Sequence, residues 1–330
     1  MAVRKPTVPS LFIVGAPKCG TTAWVEYLRT HPDIYFPDAK EHCYFALDLP
    51  NFRLTRNAAG YRALFSNCGD ARIVGEASAM YLYSSTAAEE IRKFNPEARI
   101  LIFLRNQEDY LPSLHNQFLW EFAEQIMQFE TAWRLSEARP ADTIPDACLE
   151  PRTLNYKAMG QFHEQVSRYF AAFPAEQIRV LWFEDWVANP RSAYLDVLAL
   201  LGLQDDGRAD FPKVNEGMTY RWRTGARLVV APPRRLRSAA RLVGRMSSRA
   251  SGYLSKIAWK LIKLSSRDGY PKEISENLRE EIKRYYEAEN QILKRLIADP
   301  NPATAPGYAD RLSEPVALRR LQHIEPGPEC

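Results

Sequence analysis

Residues 11–24 read LFIVGAPKCGTTAW, an apolar run that passes through a glycine-bounded turn into a helical pattern. The run Leu11–Val14, leading straight into the glycine turn, reads as a buried strand. Gly15 and Gly20 allow a tight turn, and Thr21 and Thr22 open the helix that follows. A strand entering a helix this way gathers unpaired backbone N–H groups and the positive end of the helix dipole around one point. That point binds an anion. The ammonium of Lys18 and the hydroxyls of Thr21 and Thr22 can join it.

The same alternation of short apolar runs and helical patterns continues along the chain and marks βαβ units. Strands are expected at Leu11–Val14, Ile73–Gly75, Ile100–Leu104 and Ile178–Phe183. Helices are expected at Thr21–Thr30, Thr86–Phe94, Asp109–Glu124, Tyr156–Phe173, Pro190–Leu201 and Lys272–Ile297. FNPEARI and FPAEQIRV are similar helix-to-strand turns in which proline stops a helix before the next strand. The expected architecture is a P-loop-like three-layer α/β/α fold with a central, mainly parallel sheet. It forms one domain over residues 1–330, with a basic, partly helical insertion at 221–267 and a surface tail at 300–330. At 330 residues the chain can bury a large core.

Hydrophobic and charged contents of 46% and 25% are ordinary for a soluble globular protein, and the net charge of +4 is small. The distribution says more. Residues 221–272 carry 14 Lys/Arg and one acid, Asp268, which leaves the rest of the chain net acidic. The five cysteines, Cys19, Cys43, Cys68, Cys148 and Cys330, form no CxxC pair. That argues against a disulfide framework or a zinc site and favours a reducing compartment, so the expected location is the cytoplasm. The apolar run after the basic N-terminus is too short for a signal peptide.

A nucleoside-triphosphate loop has glycine spacing like that of Gly15 and Gly20, but it needs lysine immediately before its Ser/Thr. Here that position is Thr21, and the lysine is Lys18, inside the loop. Such a site also expects an acidic residue at a neighbouring strand end to hold Mg²⁺. The strand ILIFL ends instead in Arg105, which suits a second phosphate group better than a metal ion. The ligand implied is a nucleotide with two separated anionic ends and no metal.

GAPKCGTTAW resembles the 5′-phosphosulfate loop, P-K-[SGT]-G-T-T, of sulfotransferases that use 3′-phosphoadenosine 5′-phosphosulfate (PAPS). LRNQEDYLPS resembles their 3′-phosphate motif, an arginine ending a strand with a serine eight residues later, here Arg105 and Ser113. The resemblance makes Pro17, Lys18, Cys19, Gly20, Thr21, Thr22, Ala23, Arg105 and Ser113 donor-binding. Arg223 and Gly225 of RWRTG would add to the 3′-phosphate site. HPDIYFPDAKEHCYF resembles the segment after the first helix in carbohydrate sulfotransferases of the heparan-sulfate type. There a glutamate before an aromatic pair is the general base, which maps to Glu41, with Tyr44 and Phe45 as the pair. The resemblance covers roughly residues 10–215.

Three departures bear on the acceptor. Glu76-Ala77-Ser78-Ala79 stands where the family often has E-K-T-P, so that lysine is missing. Gln107 replaces the proline of R-N-P, and no K-[ST]-H triplet supplies the histidine base of cytosolic aryl and alcohol sulfotransferases.

The expected activity is in-line sulfuryl transfer from PAPS to a hydroxyl, before an amine, of a glycan or small metabolite, leaving 3′-phosphoadenosine 5′-phosphate (PAP). Lys18 would stabilise charge on the bridging oxygen, and Glu41 would take the acceptor's proton. His42 is a rival base, and a bland reading pairs Glu41 with Lys40 on a solvated loop. Trp24 is expected in the core, and Cys19 is expected to bind donor through its backbone alone. The alternatives are a P-loop small-molecule kinase and a non-catalytic membrane-associated protein. The basic segment carries an apolar stripe over 234–264. It reads as a helix covering the core, as a lid, or as a peripheral contact with an anionic membrane or glycan. Nucleic acid is not an expected partner.

Overall fold

Leu11, Phe12, Ile13 and Val14 are fully buried, and the strand they form, β1 (Leu11–Gly15), occupies the centre of a five-stranded sheet. The structure is a computed structural model that describes residues 8–214, 218–220, 266–268 and 274–299. The other strands are β2 (Ile34–Tyr35), β3 (Ile73–Ala77), β4 (Arg99–Leu104) and β5 (Ile178–Trp182), in the order β2-β3-β1-β4-β5. Every neighbouring pair is parallel. A parallel sheet covered on both faces needs strands that are apolar throughout, which is why β1 and β4 read as unbroken hydrophobic runs.

The helices are α1 (Thr21–Arg29), α2 (Ala58–Ala63), α3 (Ala87–Phe94), α4 (Gln107–Trp120), α5 (Phe129–Arg134), α6 (Tyr156–Met159), α7 (Phe162–Ala172), α8 (Phe183–Ala188), α9 (Pro190–Leu201) and α10 (Glu276–Ala298). The chain steps from β1 to β2 on one side and returns from β3 to β4 across β1. Parallel sheets bind ligands at the carboxyl ends of strands where the winding reverses in this way. The loops after β1, β3 and β4 therefore share one edge.

Several boundaries differ from expectation. The helix expected at Tyr156–Phe173 is two, because Gln161, at ψ 68, leaves helical geometry between α6 and α7. The helix expected to reach Glu124 stops at Trp120, and Phe122 takes a left-handed φ of 58°. Beyond it, Glu124 is buried and accepts from Arg139 Nη1 and Nη2 at 3.0 and 2.8 Å and from Tyr156 Oη at 3.1 Å. β2, α2, α5 and α8 were not expected.

Gln107, the departure from R-N-P, has a structural reason. Its amide pairs reciprocally with Asn290 on α10, at 2.9 and 3.1 Å, and also donates to Gly160 O at 3.3 Å. It fastens α10 to the start of α4, while Leu278, Ile282, Tyr286 and Leu293 bury the inner stripe of α10.

The backbone of β6 (Met218–Tyr220) pairs antiparallel with β7 (Ser266–Asp268), so the two ends of the basic insertion meet. The expected helix at 234–264, Arg223, Gly225 and the tail at 300–330 lie outside the described residues. Among the described residues no helix is long and apolar enough to cross a membrane.

Candidate functional site

The loop from Ala16 to Gly20 connects β1 to α1 at the carboxyl edge of the sheet. Its glycines are fixed by packing as well as by turn geometry. Gly15 has φ 133°, and a Cβ there would lie 2.3 Å from Ala79 O. Gly20 has φ 87°, and a Cβ there would lie 2.3 Å from Trp186 Cζ2. The loop thus passes between the short turn after β3 and the indole of Trp186 on α8, where only glycine fits. Lys18 also sits in the left-handed region, at φ 63°, a conformation uncommon for a non-glycine residue.

Gly20 caps α1 without a side-chain hydrogen bond, and the first turn contains no acid. Trp24 N is the first amide to bond back, to Gly20 O at 3.1 Å. The amides of Thr21, Thr22 and Ala23 are therefore left for an anion. Thr21 and Ala23 are buried, while Pro17, Lys18, Gly20 and Thr22 are half-buried. Cys19 is fully buried, and burial pushes its thiol well up, so its sulfur is neither exposed nor ionised. Trp24 is fully buried against Phe103 and Trp186, with ring centroids 5.1 and 5.9 Å away, as expected of a core residue.

β4 delivers Arg105 to the same edge. Its guanidinium lies over the Phe183 ring, 4.6 Å from the centroid, and its buried Nε has no hydrogen-bond partner. A buried guanidinium nitrogen without an acceptor is costly unless a ligand supplies one. Ser113 lies on the second turn of α4, nearly buried.

The segment after β2 lies across the end of β3. Glu41 N donates to Ala77 O at 2.8 Å, and Ala79 N donates to Glu41 Oε2 at 2.8 Å. Cys43 N donates to Ser78 Oγ at 3.0 Å. Glu41 and Cys43 have φ of 66° and 48°, so the loop turns sharply at both. Lys40 Nζ is 2.6 Å from Glu41 Oε1. The pairing named by the bland reading is present, and so is a backbone clamp that a free surface carboxylate would lack. His42 turns the other way, with Nδ1 3.1 Å from Thr55 Oγ1, and burial lowers its pKa.

Lys18 lies across the last turns of α4, where its Nζ donates to Gln117 Oε1 at 3.2 Å. Gln117 Nε2 in turn donates to Glu121 Oε1. Burial lowers the pKa of the Lys18 ammonium. Glu121 opposes that shift, while Arg105 and Lys40 add to it. The charges of the loop after β1, the end of β4 and the Glu41 loop therefore act on one another.

Sequence reasoning passed over Gln117 and Glu121, and it named Glu76 only as part of the departure from E-K-T-P. The first two follow Ser113 at intervals of four, one face of a helix. Glu76, on β3, is almost wholly buried, and burial pushes its carboxyl up to about 7. Ser78 Oγ donates to its Oε1 at 2.5 Å and Tyr61 Oη to its Oε2 at 3.4 Å. Ser78 thereby links Glu76 to the Cys43 amide in the Glu41 loop.

A family model described as Sulfotransferase domain matches residues 9–211. Carbohydrate sulfotransferase 15 of Rattus norvegicus is 23% identical over 256 residues, covering 61% of this chain and 45% of that protein. Heparan sulfate glucosamine 3-O-sulfotransferase 6 of Homo sapiens is 30% identical over 102 residues, covering 30% of this chain and 27% of that protein. A solved sulfotransferase from Alicyclobacillus acidocaldarius superposes with a TM-score of 0.62 at 25% identity. The match covers 90% of this chain and 98% of that one. The chain thus spans less than half the length of these two curated relatives.

Proposed function

The chain belongs to the sulfotransferase domain family, and from that premise we propose that it moves a sulfuryl group from PAPS to a hydroxyl of a carbohydrate acceptor. The observation that carries this reading is the clamping of Glu41 to Ala77 and Ala79. It holds a carboxylate at the end of β3, the strand beside the glycine loop. A proton acceptor and an anion cradle then share one sheet edge. PAPS, the donor the family implies, supplies an activated sulfuryl group with PAP as its leaving group.

The free amides and hydroxyls at the start of α1 hold the 5′ end of the donor, with Pro17 and Gly20 shaping the loop. Arg105 and Ser113 hold the 3′-phosphate, and the partnerless Nε of Arg105 fits that role. Lys18 stabilises negative charge where the donor's bridging oxygen departs. Glu41 accepts the acceptor's proton, a role that requires the Lys40 ammonium to yield or share its oxygen. His42, turned towards Thr55, is the weaker candidate. Arg223 and Gly225, which the resemblance adds to the 3′-phosphate contacts, lie outside the described residues. The four cysteines among the described residues are free, which fits a reducing compartment.

The test is transfer of labelled sulfate from PAPS to a panel of oligosaccharides, with unlabelled PAP as competitor. Transfer to at least one carbohydrate hydroxyl, inhibited by PAP, is the expected result. PAPS-independent binding of the panel with no transfer would refute the reading.

A further inference from the structure

Resting on that reading, we infer that Glu121 is a positioning residue that acts through Gln117 to hold the Lys18 ammonium beside the donor loop. Lysine is a point charge on a flexible four-carbon stem, so its placement depends on what its ammonium finds. Here it finds the carbonyl oxygen of the Gln117 side chain, 3.2 Å away. A glutamine amide can face either way, and with its NH₂ turned to Lys18 two donors would oppose each other. Glu121 decides the matter. Its Oε1 accepts from the Gln117 NH₂, which draws that end of the amide to Glu121 and leaves the oxygen for Lys18.

Charge supports the geometry. Of the charged groups acting on Lys18, Glu121 has the largest effect and favours the ammonium. Arg105 at the end of β4 and Lys40 in the loop after β2 disfavour it. Glu121 itself is acted on by Lys18, Gln117 and Glu41. Although the residue reaches solvent at the end of α4, packing around its carboxyl raises its pKa. Glu121 thus offsets part of what burial and two neighbouring cations do to Lys18. The four-residue spacing also places Glu121 on the same α4 face as Ser113. One helix then serves the donor's 3′ end through Ser113 and its reacting end through Lys18.

The experiment compares wild type, Glu121→Gln and Gln117→Leu, with thermal melts as the check on folding. Two readouts are taken. The first is the pH dependence of Lys18 acylation in the ligand-free protein, followed by peptide mass spectrometry. The second is the alkaline limb of kcat/KM for PAPS, which reports groups of the free enzyme. In Glu121→Gln both should move to lower pH, because a favourable charge on the ammonium is lost. Turnover at neutral pH should fall roughly three- to tenfold, as expected for a misplaced catalytic group. Gln117→Leu should lower turnover similarly, and the double variant should lose less than the product of the two.

A folded Glu121→Gln protein with both pH profiles unmoved would overturn the inference. So would independent, fully multiplicative losses in the two single variants. If wild type transfers no sulfate yet Lys18 acylation shifts in Glu121→Gln, the functional reading fails while the control of Lys18 by Glu121 stands. Should Glu121→Gln not fold, the acylation profile of Gln117→Leu decides, and an unchanged profile there would likewise overturn it.

Discussion

Ala79 N–H donates to Glu41 Oε2 at 2.8 Å, and this bond, with the one from Glu41 N to Ala77 O, ties the proposed base to the strand beside the glycine loop. The carboxylate is held by backbone at Oε2 and by the Lys40 ammonium at Oε1. Glu41→Gln keeps an oxygen for Ala79 but cannot take a proton. It should lower kcat by about 100-fold or more while leaving PAP affinity within about twofold. Steady-state kinetics and PAP calorimetry on the same preparation check this, and near-wild-type turnover would remove Glu41 from the role.

Arg105 stacks on Phe183 and keeps a buried Nε without an acceptor. If the 3′-phosphate is that acceptor, Arg105→Ala should weaken PAP binding roughly ten- to hundredfold, the range for a lost charge-assisted hydrogen bond. AMP lacks the 3′-phosphate, and its affinity should change by less than about threefold. Equal losses for the two nucleotides, measured by calorimetry, would contradict the assignment.

The parts of this site that were legible in sequence are local. Leu11–Val14 is apolar enough to read as a buried strand, and Gly15, Gly20 and the two threonines follow within a few residues. Arg105 and Ser113 are a strand end and the helix after it. Glu41 became readable through resemblance, since an acid on a loop has no periodicity to mark it. What escaped depends on distant partners. The bond from Lys18 to Gln117 spans 99 positions, and Gln107 makes sense only once α10 delivers Asn290, 183 positions away. β2 is two residues long, and α2, α5 and α8 have six each, too few to show a period. Glu76 interrupts an apolar strand, and the hydroxyls of Ser78, Tyr81 and Tyr61 around it explain its presence there.

Glu76 also predicts a pH dependence of stability. Its carboxyl is held up at about 7 in the folded protein, against an ordinary 4.5. Below pH 4.5 both states carry the proton, and this group makes no difference between them. Between 4.5 and 7 the unfolded chain releases the proton while the folded one keeps it, so stability falls as pH rises. Above 7 the loss is complete, at most roughly 3 kcal/mol by this linkage. Glu76→Gln keeps the shape without the ionisation, and should stabilise the protein at pH 8 by about 1–3 kcal/mol. The gain should vanish at pH 4.5. Denaturant melts of both proteins at the two pH values test this, and a gain independent of pH would point to packing instead.

Gly20 and Trp186 make the last prediction, because their contact joins α1 to α8 at the end of the glycine loop. A methyl group on Gly20 would overlap the indole, with Cζ2 at 2.3 Å and Cη2 at 3.0 Å, and the backbone φ of 87° adds its own penalty. Together these give Gly20→Ala a cost of roughly 2–4 kcal/mol. Trp186→Phe removes the outer ring atoms that the methyl would meet. In the Gly20→Ala/Trp186→Phe double variant the overlap disappears while the φ penalty stays, so its cost should be smaller than the sum of the two single costs by about 1 kcal/mol or more. Urea midpoints for the four proteins measure the coupling. Strict additivity would mean that backbone conformation alone demands glycine here, and that the indole does not set the path of the loop.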